Sequence, residues 1–137
     1  MKKPYLLDFN PVGSPERGFL SVVHAAGQLP FVVNRLYWIY DVPELGERGN
    51  QAHLHNEQVL VTLHGAVRVH LENTRGKKFA FELHRPDQGL FVPARYWRTL
   101  HFYDHAVVLA LCSHPYREAD YVRSHEAFRT LATDDGP

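Results

Sequence analysis

Hydrophobic and polar positions alternate with a period of two through most of the chain, in short segments separated by turn-forming residues. Successive strand side chains point to opposite faces, so this pattern predicts half-buried β-strands. The clearest case is "AVRVHLE", where Val67, Val69 and Leu71 share one face and Arg68, His70 and Glu72 the other. The polar turn "NTRGKK" follows, and "FAFEL" then aligns Phe79, Phe81 and Leu83, which predicts a hairpin. "FVVNRLYWIYDV" from Phe31 is the first clear strand, and another starts at Val59 and is broken by Gly65. "RPDQG" from Arg85 is a turn, "LFVP" a short strand stopped by Pro93, and "AVVLALC" a buried strand. Only the end changes period. From Arg117 to about Leu131, the residues Tyr121, Val122, His125 and Phe128 fit a helix packed on the outside, and "TDDGP" should fray.

Many short strands and one terminal helix in 137 residues predict an all-β fold, a jelly roll or small Greek-key barrel, as one domain spanning 1–137. Such a barrel has a mouth and an interior, so alternate residues of a central strand can line a ligand pocket. Composition narrows the options. Apolar residues are 45%, which argues against disorder, and 15 basic residues balance 15 acidic ones. The balance gives no electrostatic reason to expect nucleic acid or an anionic membrane, so an anionic ligand has to be held by local arginines. The single cysteine, Cys112, excludes an intrachain disulfide and reads as a buried thiol. No run reaches transmembrane length and the start lacks a signal-peptide pattern, so a reducing cytoplasm is the expected location.

The chemistry concentrates in "RGNQAHLHNEQVLV" from Arg48. If the strand runs straight there, Gln51, His53 and His55 project together, either to solvent or into a pocket. Small barrels of the cupin type hold a metal with two histidines two apart, a following glutamate and a later histidine. The corresponding residues here are Gln51, His53, Glu57 and Arg98. An amide is a poor ligand and a guanidinium cannot ligate, so no metal and no cofactor are expected. Acid/base chemistry remains, because imidazole titrates near neutrality and suits a reaction through an enol or enediol. Arg35, Tyr37, Tyr40 and Arg48 are available to stabilise an oxyanion. Arg35 sits within an apolar strand, where a pocket-facing position explains a charge better than the core does. Tyr37 shares its face, either as a proton relay or oxyanion donor or as a core tyrosine. Trp97 either stacks on a base or sugar or belongs to the core. The other histidines, His24, His64, His70, His84, His101, His105, His114 and His125, have no useful partner spacing.

These residues resemble the cupin-type 3,4-ketoisomerases that act on dTDP-4-keto-6-deoxyglucose. The hallmark R-G-x-H-A-H is matched by Arg48, Gly49, Asn50, Gln51, Ala52 and His53, with Gln58 leading into Val59, Leu60 and Val61. "ERGFL" at Glu16, "LPFVVNRLYWIYDV", "PDQGLFVPARYW" and "SHPYREADYVRSHEAF" resemble further family motifs in the same order, covering almost the whole chain. The resemblance implies a cupin jelly-roll homodimer without a required metal that moves a carbonyl from C4 to C3 of a hexose, on the way to an amino sugar. It also implies an acid/base role at the positions of Gln51 and His53; beside them Tyr37 is a catalytic candidate, and Arg35, Arg48, His55, Trp97 and Arg98 are candidate substrate contacts. Arg48 is the candidate for gripping the diphosphate.

The chain departs from the pattern at three places. The first family histidine is Gln51, which cannot titrate; the histidine after the tryptophan is Arg98; and the frequent lysine after the second histidine is Leu54. Three readings follow: His53 is the sole base while Gln51 orients substrate; the pocket takes a different nucleotide sugar; or the protein binds a sugar nucleotide without chemistry. His55 either replaces the lost imidazole or faces solvent.

Overall fold

The hairpin that alternation predicts is present, in register. A computed structural model describes residues 1–134 and pairs Val67 with Leu83, Val69 with Phe81 and Leu71 with Phe79. Asn73 closes the turn, its side-chain oxygen accepting from the backbone N–H of Arg75 and of Lys77, each at 2.9 Å. This is an Asx-type turn, in which a short side chain replaces a backbone acceptor.

The strands are β1 (Tyr5–Asp8), β2 (Val12–Ser14), β3 (Gly18–Leu20), β4 (Arg35–Ile39), β5 (Glu47–His53), β6 (Gln58–Glu72), β7 (Lys78–Leu83), β8 (Gln88–Val92), β9 (Trp97–Cys112) and β10 (Tyr121–Val122). One turn, α1 (Ala25–Gln28), and a terminal helix, α2 (His125–Asp134), complete them. The main sheet runs β1-β8-β6-β9-β5-β10, with β4 also on β9 and β7 also on β6, all antiparallel. β2 and β3 form a separate hairpin. β8 ends at Val92, directly before Pro93, as expected of a residue without an N–H.

Two expectations about continuity change. Gly65 does not end a strand; it sits at φ +72° inside the 15-residue β6, at a shift in the pairing with β9. A Cβ there would stand 2.6 Å from the Asp104 carbonyl oxygen, so only glycine fits. The bulge flips the inward face of β6 from Gln58 and Leu60 before it to Val67, Val69 and Leu71 after it. β9 likewise extends well beyond "AVVLALC", starting at Trp97 and turning at Asp104 and His105, both at positive φ. β6 and β9 therefore bend together, and the sheet folds over on itself into an all-β cupin-like jelly roll. Val67, Val69, Leu71, Leu83, Leu90, Leu100 and Phe102 fill the interior. A smaller cluster around Phe9, Val59, Val61, Phe91 and Leu111 seals the outer side under the N-terminal segment.

The end of the chain also differs from its sequence pattern. The helical period starts at Arg117; instead a 3-10 turn at Glu118–Asp120 leads into β10, and α2 starts only at His125. Tyr121 pairs with His53 and Val122 with Ala52, and this edge-strand pairing overrides the local helical period. Phe128 is buried as predicted. The expected fraying of the last residues falls beyond residue 134, outside the described part. Among the described residues no helix is long and apolar enough to cross a membrane.

Candidate active site

At the end of the barrel away from the Gly65 corner the interior opens into a cavity of about 840 Å³. β4 supplies Arg35 and Tyr37 to its wall, β5 supplies Arg48 and Gln51, β6 supplies Gln58, and β9 supplies Arg98. Tyr121 of β10 and Arg123 just after it complete that side.

The glycine of "RGNQAH" has a physical reason to be there. Gly49 lies at φ +99° and Asn50 at φ 59°, and pairing with β9 shifts between Gly49 and Gln51. A Cβ on Gly49 would meet the Arg98 carbonyl oxygen at 2.8 Å. The resulting bulge turns Gln51 toward the cavity, opposite Arg98. Gln51 Oε1 accepts from Arg123 Nη1 at 3.0 Å, and Arg123 is itself held by Glu118 at 2.7 Å and lies 4.4 Å over the Tyr121 ring.

His53 is fully buried and stands behind the wall rather than in it. Two cavity-lining side chains cover it. Arg98 places Nη2 2.6 Å from His53 Nδ1, and the Tyr121 ring packs edge-on at 4.4 Å. Burial, reinforced by the positive charges of Arg98, Arg35 and Arg123, lowers the His53 pKa to about 2. Arg98 is buried too, and burial lowers its own pKa. Its Nη1 donates to Gln58 Oε1, and Gln58 Nε2 donates to the Tyr37 hydroxyl oxygen at 2.7 Å. Burial raises the Tyr37 pKa, so the phenol keeps its proton at neutral pH. Arg35 lies 5.8 Å from the centres of the Tyr37 and Tyr116 rings. Cys112 is a buried thiol, as expected, 3.5 Å from Gln58 Nε2.

Of the residues singled out in the sequence, Arg35, Tyr37, Arg48, Gln51 and Arg98 line one cavity, and His53 touches that set. Arg48 has no ion-pair partner among the described residues; Glu47 approaches His101 at 3.6 Å, and Glu44 accepts from the Asp104 backbone. Two residues lie elsewhere. β5 ends at His53, and buried Asp120 accepts from the backbone N–H of His55 and Asn56, turning the chain away. The exposed His55 ring therefore sits near His114, 6.4 Å between centres, and does not share the face of Gln51 and His53. Trp97 precedes inward-facing Arg98 and so points to the outside of the barrel, packing on His125 and Phe128 of α2. Neither lines the cavity, contrary to the expectation that both contact substrate. Gln58, Tyr121 and Arg123 are cavity residues that the sequence does not single out. Gln58 is visible there only as a motif residue, and Tyr121 reads as part of a helix core.

The chain matches the family model described as FdtA: WxcM-like, C-terminal, over residues 2–133. It is 35% identical over 114 residues to the TDP-4-oxo-6-deoxy-alpha-D-glucose-3,4-oxoisomerase of Aneurinibacillus thermoaerophilus, covering 82% of this chain and 81% of that one. Among solved structures, it resembles a point mutant of the 3,4-ketoisomerase QdtA from Thermoanaerobacterium thermosaccharolyticum in complex with TDP-4-keto-6-deoxyglucose. That match has a TM-score of 0.90 at 28% identity, with 98% and 96% of the two chains covered. A 3,4-ketoisomerase from Helicobacter canadensis matches at TM-score 0.89 and 30% identity, covering 98% of this chain and all of that one.

Proposed function

The chain belongs to the FdtA (WxcM-like, C-terminal) family, and on that premise we propose that its single domain, residues 1–137, is a nucleotide-sugar 3,4-ketoisomerase. The reaction converts a dTDP-4-keto-6-deoxyhexose to its 3-keto isomer through an enediol. One observation carries this reading: four arginines, Arg35, Arg48, Arg98 and Arg123, line the cavity with Tyr37 against one lining carboxylate, Glu47, and only Arg123 is paired with a further one, Glu118, among the described residues. That surplus suits a diphosphate at the rim and an enediolate within.

The roles follow from hydrogen-bond capacity. Arg48, exposed and without an ion-pair partner among the described residues, grips the diphosphate. The Tyr37 oxygen already accepts from Gln58, so its own proton is free for the developing C4 alkoxide. Gln51 has its carbonyl oxygen taken by Arg123 and offers its NH₂ to a sugar hydroxyl; it moves no proton. His53 carries the carbon-bound proton: the C3–H bond breaks as an N–H bond forms, that N–H exchanges with solvent and delivers a proton to C4, and the O3–H proton passes to O4, so that C3 becomes the carbonyl and C4 the carbinol. The isomerisation is redox-neutral and needs no cofactor. A nucleotide-activated sugar is a cytoplasmic metabolite, so the protein works in the cytoplasm.

The working form is a homodimer. Among the described residues β4 pairs only with β9, and its Leu36 and Trp38 and the following Tyr40 are exposed, as are Val12, Phe19 and Leu20 of the β2–β3 hairpin. An unpaired apolar edge of this kind is normally covered.

Incubation with dTDP-4-keto-6-deoxyglucose in deuterated water tests the reading by NMR. Deuterium at C3 of recovered substrate together with the 3-keto product is the expected result. Tight dTDP binding without exchange would make the protein a binder, and exchange only with another nucleotide sugar would reassign its substrate.

A further inference from the structure

Arg98 is an unusual neighbour for a proton carrier. It is 2% exposed, and among the described residues its guanidinium meets neutral partners only: Gln58 Oε1 for Nη1 and His53 Nδ1 for Nη2, with none for Nε. A guanidinium has donors and no acceptor, so the nitrogen it touches on His53 must offer a lone pair. The ring proton then belongs on Nε2, which is buried and without a hydrogen-bond partner. With Arg98 in this position His53 thus has no lone pair free to take a proton.

Resting on the reading above, we propose that Arg98 is a positioning residue for His53: it holds the imidazole as the Nε2–H tautomer and frees Nδ1 only when an anionic group in the cavity draws the guanidinium away. Two features support the second half. Arg98 lines the cavity while also touching His53, so with the Tyr121 ring it lies between them. It is also a desolvated cation bonded to no carboxylate among the described residues, and a phosphate or enediolate oxygen is a stronger acceptor than an amide or imidazole. The charges that act on His53 itself are of one sign. Arg98 from β9, Arg35 from β4 and Arg123 after β10 disfavour an imidazolium, Tyr121 of β10 presents its ring, and the Asp120 carboxylate accepts from the backbone N–H of His55 and Asn56. Withdrawal of Arg98 toward an anion removes the nearest of the three positive charges at the moment when Nδ1 accepts the C3 proton.

The test is long-range ¹H–¹⁵N spectroscopy of the full chain with ¹⁵N-labelled histidine, free and saturated with dTDP-glucose, which lacks the reactive ketone. The free protein should show His53 as the Nε2–H tautomer, still neutral at about pH 5, where an ordinary imidazole is charged. With dTDP-glucose the protonated fraction at that pH should rise at least about tenfold, one pKa unit. Arg98→Met should give a mixture of tautomers without ligand, and Arg98→Lys, which keeps a donor, should restore the single one. An Nδ1–H tautomer in the free protein, ordinary titration of His53, or a His53 spectrum unmoved by saturating dTDP-glucose would each overturn the proposal. If Arg98→Met does not fold, the wild-type spectra with and without ligand decide it. These readouts do not depend on turnover: absent exchange with the expected spectra overturns the activity alone, and exchange with an Nδ1–H tautomer overturns this inference alone.

Discussion

The two ends of the barrel are built from the same strands and held by opposite means. At the Gly65 corner, Val67 lies opposite both Phe102 and Leu83, and Val108 and Ala106 pack nearby, all buried. At the mouth, the equivalent inward positions of β6 and β9 carry Gln58 and Arg98, joined to Tyr37 and His53 by hydrogen bonds. Arg35 Nε, His53 Nε2 and Arg98 Nε are buried there without hydrogen-bond partners among the described residues. Apolar burial stabilises the corner at roughly 25 cal/mol per Å² of apolar surface. The mouth keeps buried cationic and polar groups that lack a full set of partners among the described residues, which costs stability.

Breaking the corner should have the largest effect on folding. Phe102→Ala should lower unfolding free energy by about 3–5 kcal/mol, read by urea denaturation. Tyr37→Phe should do the reverse: it removes one hydroxyl, leaving stability within about 1 kcal/mol, while C3 exchange slows by about a hundredfold. A stability loss without loss of exchange would erase the distinction between the two ends.

The pH dependence sharpens the same contrast. The folded-state pKa of His53 is lowered to about 2 from an ordinary 6.5, so the unfolded chain binds a proton that the folded protein refuses. Its contribution is therefore fully present above pH ~6.5 and is lost as pH falls toward 2, at up to about 1.4 kcal/mol per unit. Denaturation at about pH 7.5, 6 and 5 should show this slope. The fall should be shallower in His53→Asn and unchanged in Phe102→Leu. The smallest effect is expected outside both ends. Glu72→Gln removes the half-exposed 3.0 Å bridge to His125 on α2 and should cost about 0.5 kcal/mol, leaving exchange untouched.

Much of the architecture is legible in the sequence because it rests on alternation, a local property. Val67 to Leu83 form the predicted hairpin, and Arg35 and Tyr37 share a face because they are two apart on one strand. The misreadings have one origin, the pairing of residues distant in sequence. Spacing puts His55 beside His53, but Asp120 ends the strand between them. Tyr121 fits a helical period, yet it pairs with His53, far back in the chain, and so reaches the cavity. Trp97 and Arg98 form one motif and point to opposite sides of the sheet.

The sequence by itself determined the strand pattern, the family motifs and the substitution of Gln51 for an imidazole, because these are written in residue types and short spacings. Only the tertiary structure decided what surrounds His53. Its burial, its lowered pKa and its place behind the cavity wall depend on Arg98 from β9, Arg35 from β4 and Tyr121 from β10, which the fold alone brings together. Desolvation and the field of neighbouring charges are properties of that assembly. An imidazole that reads as a base in the sequence is, in the folded protein, a neutral ring held by a guanidinium.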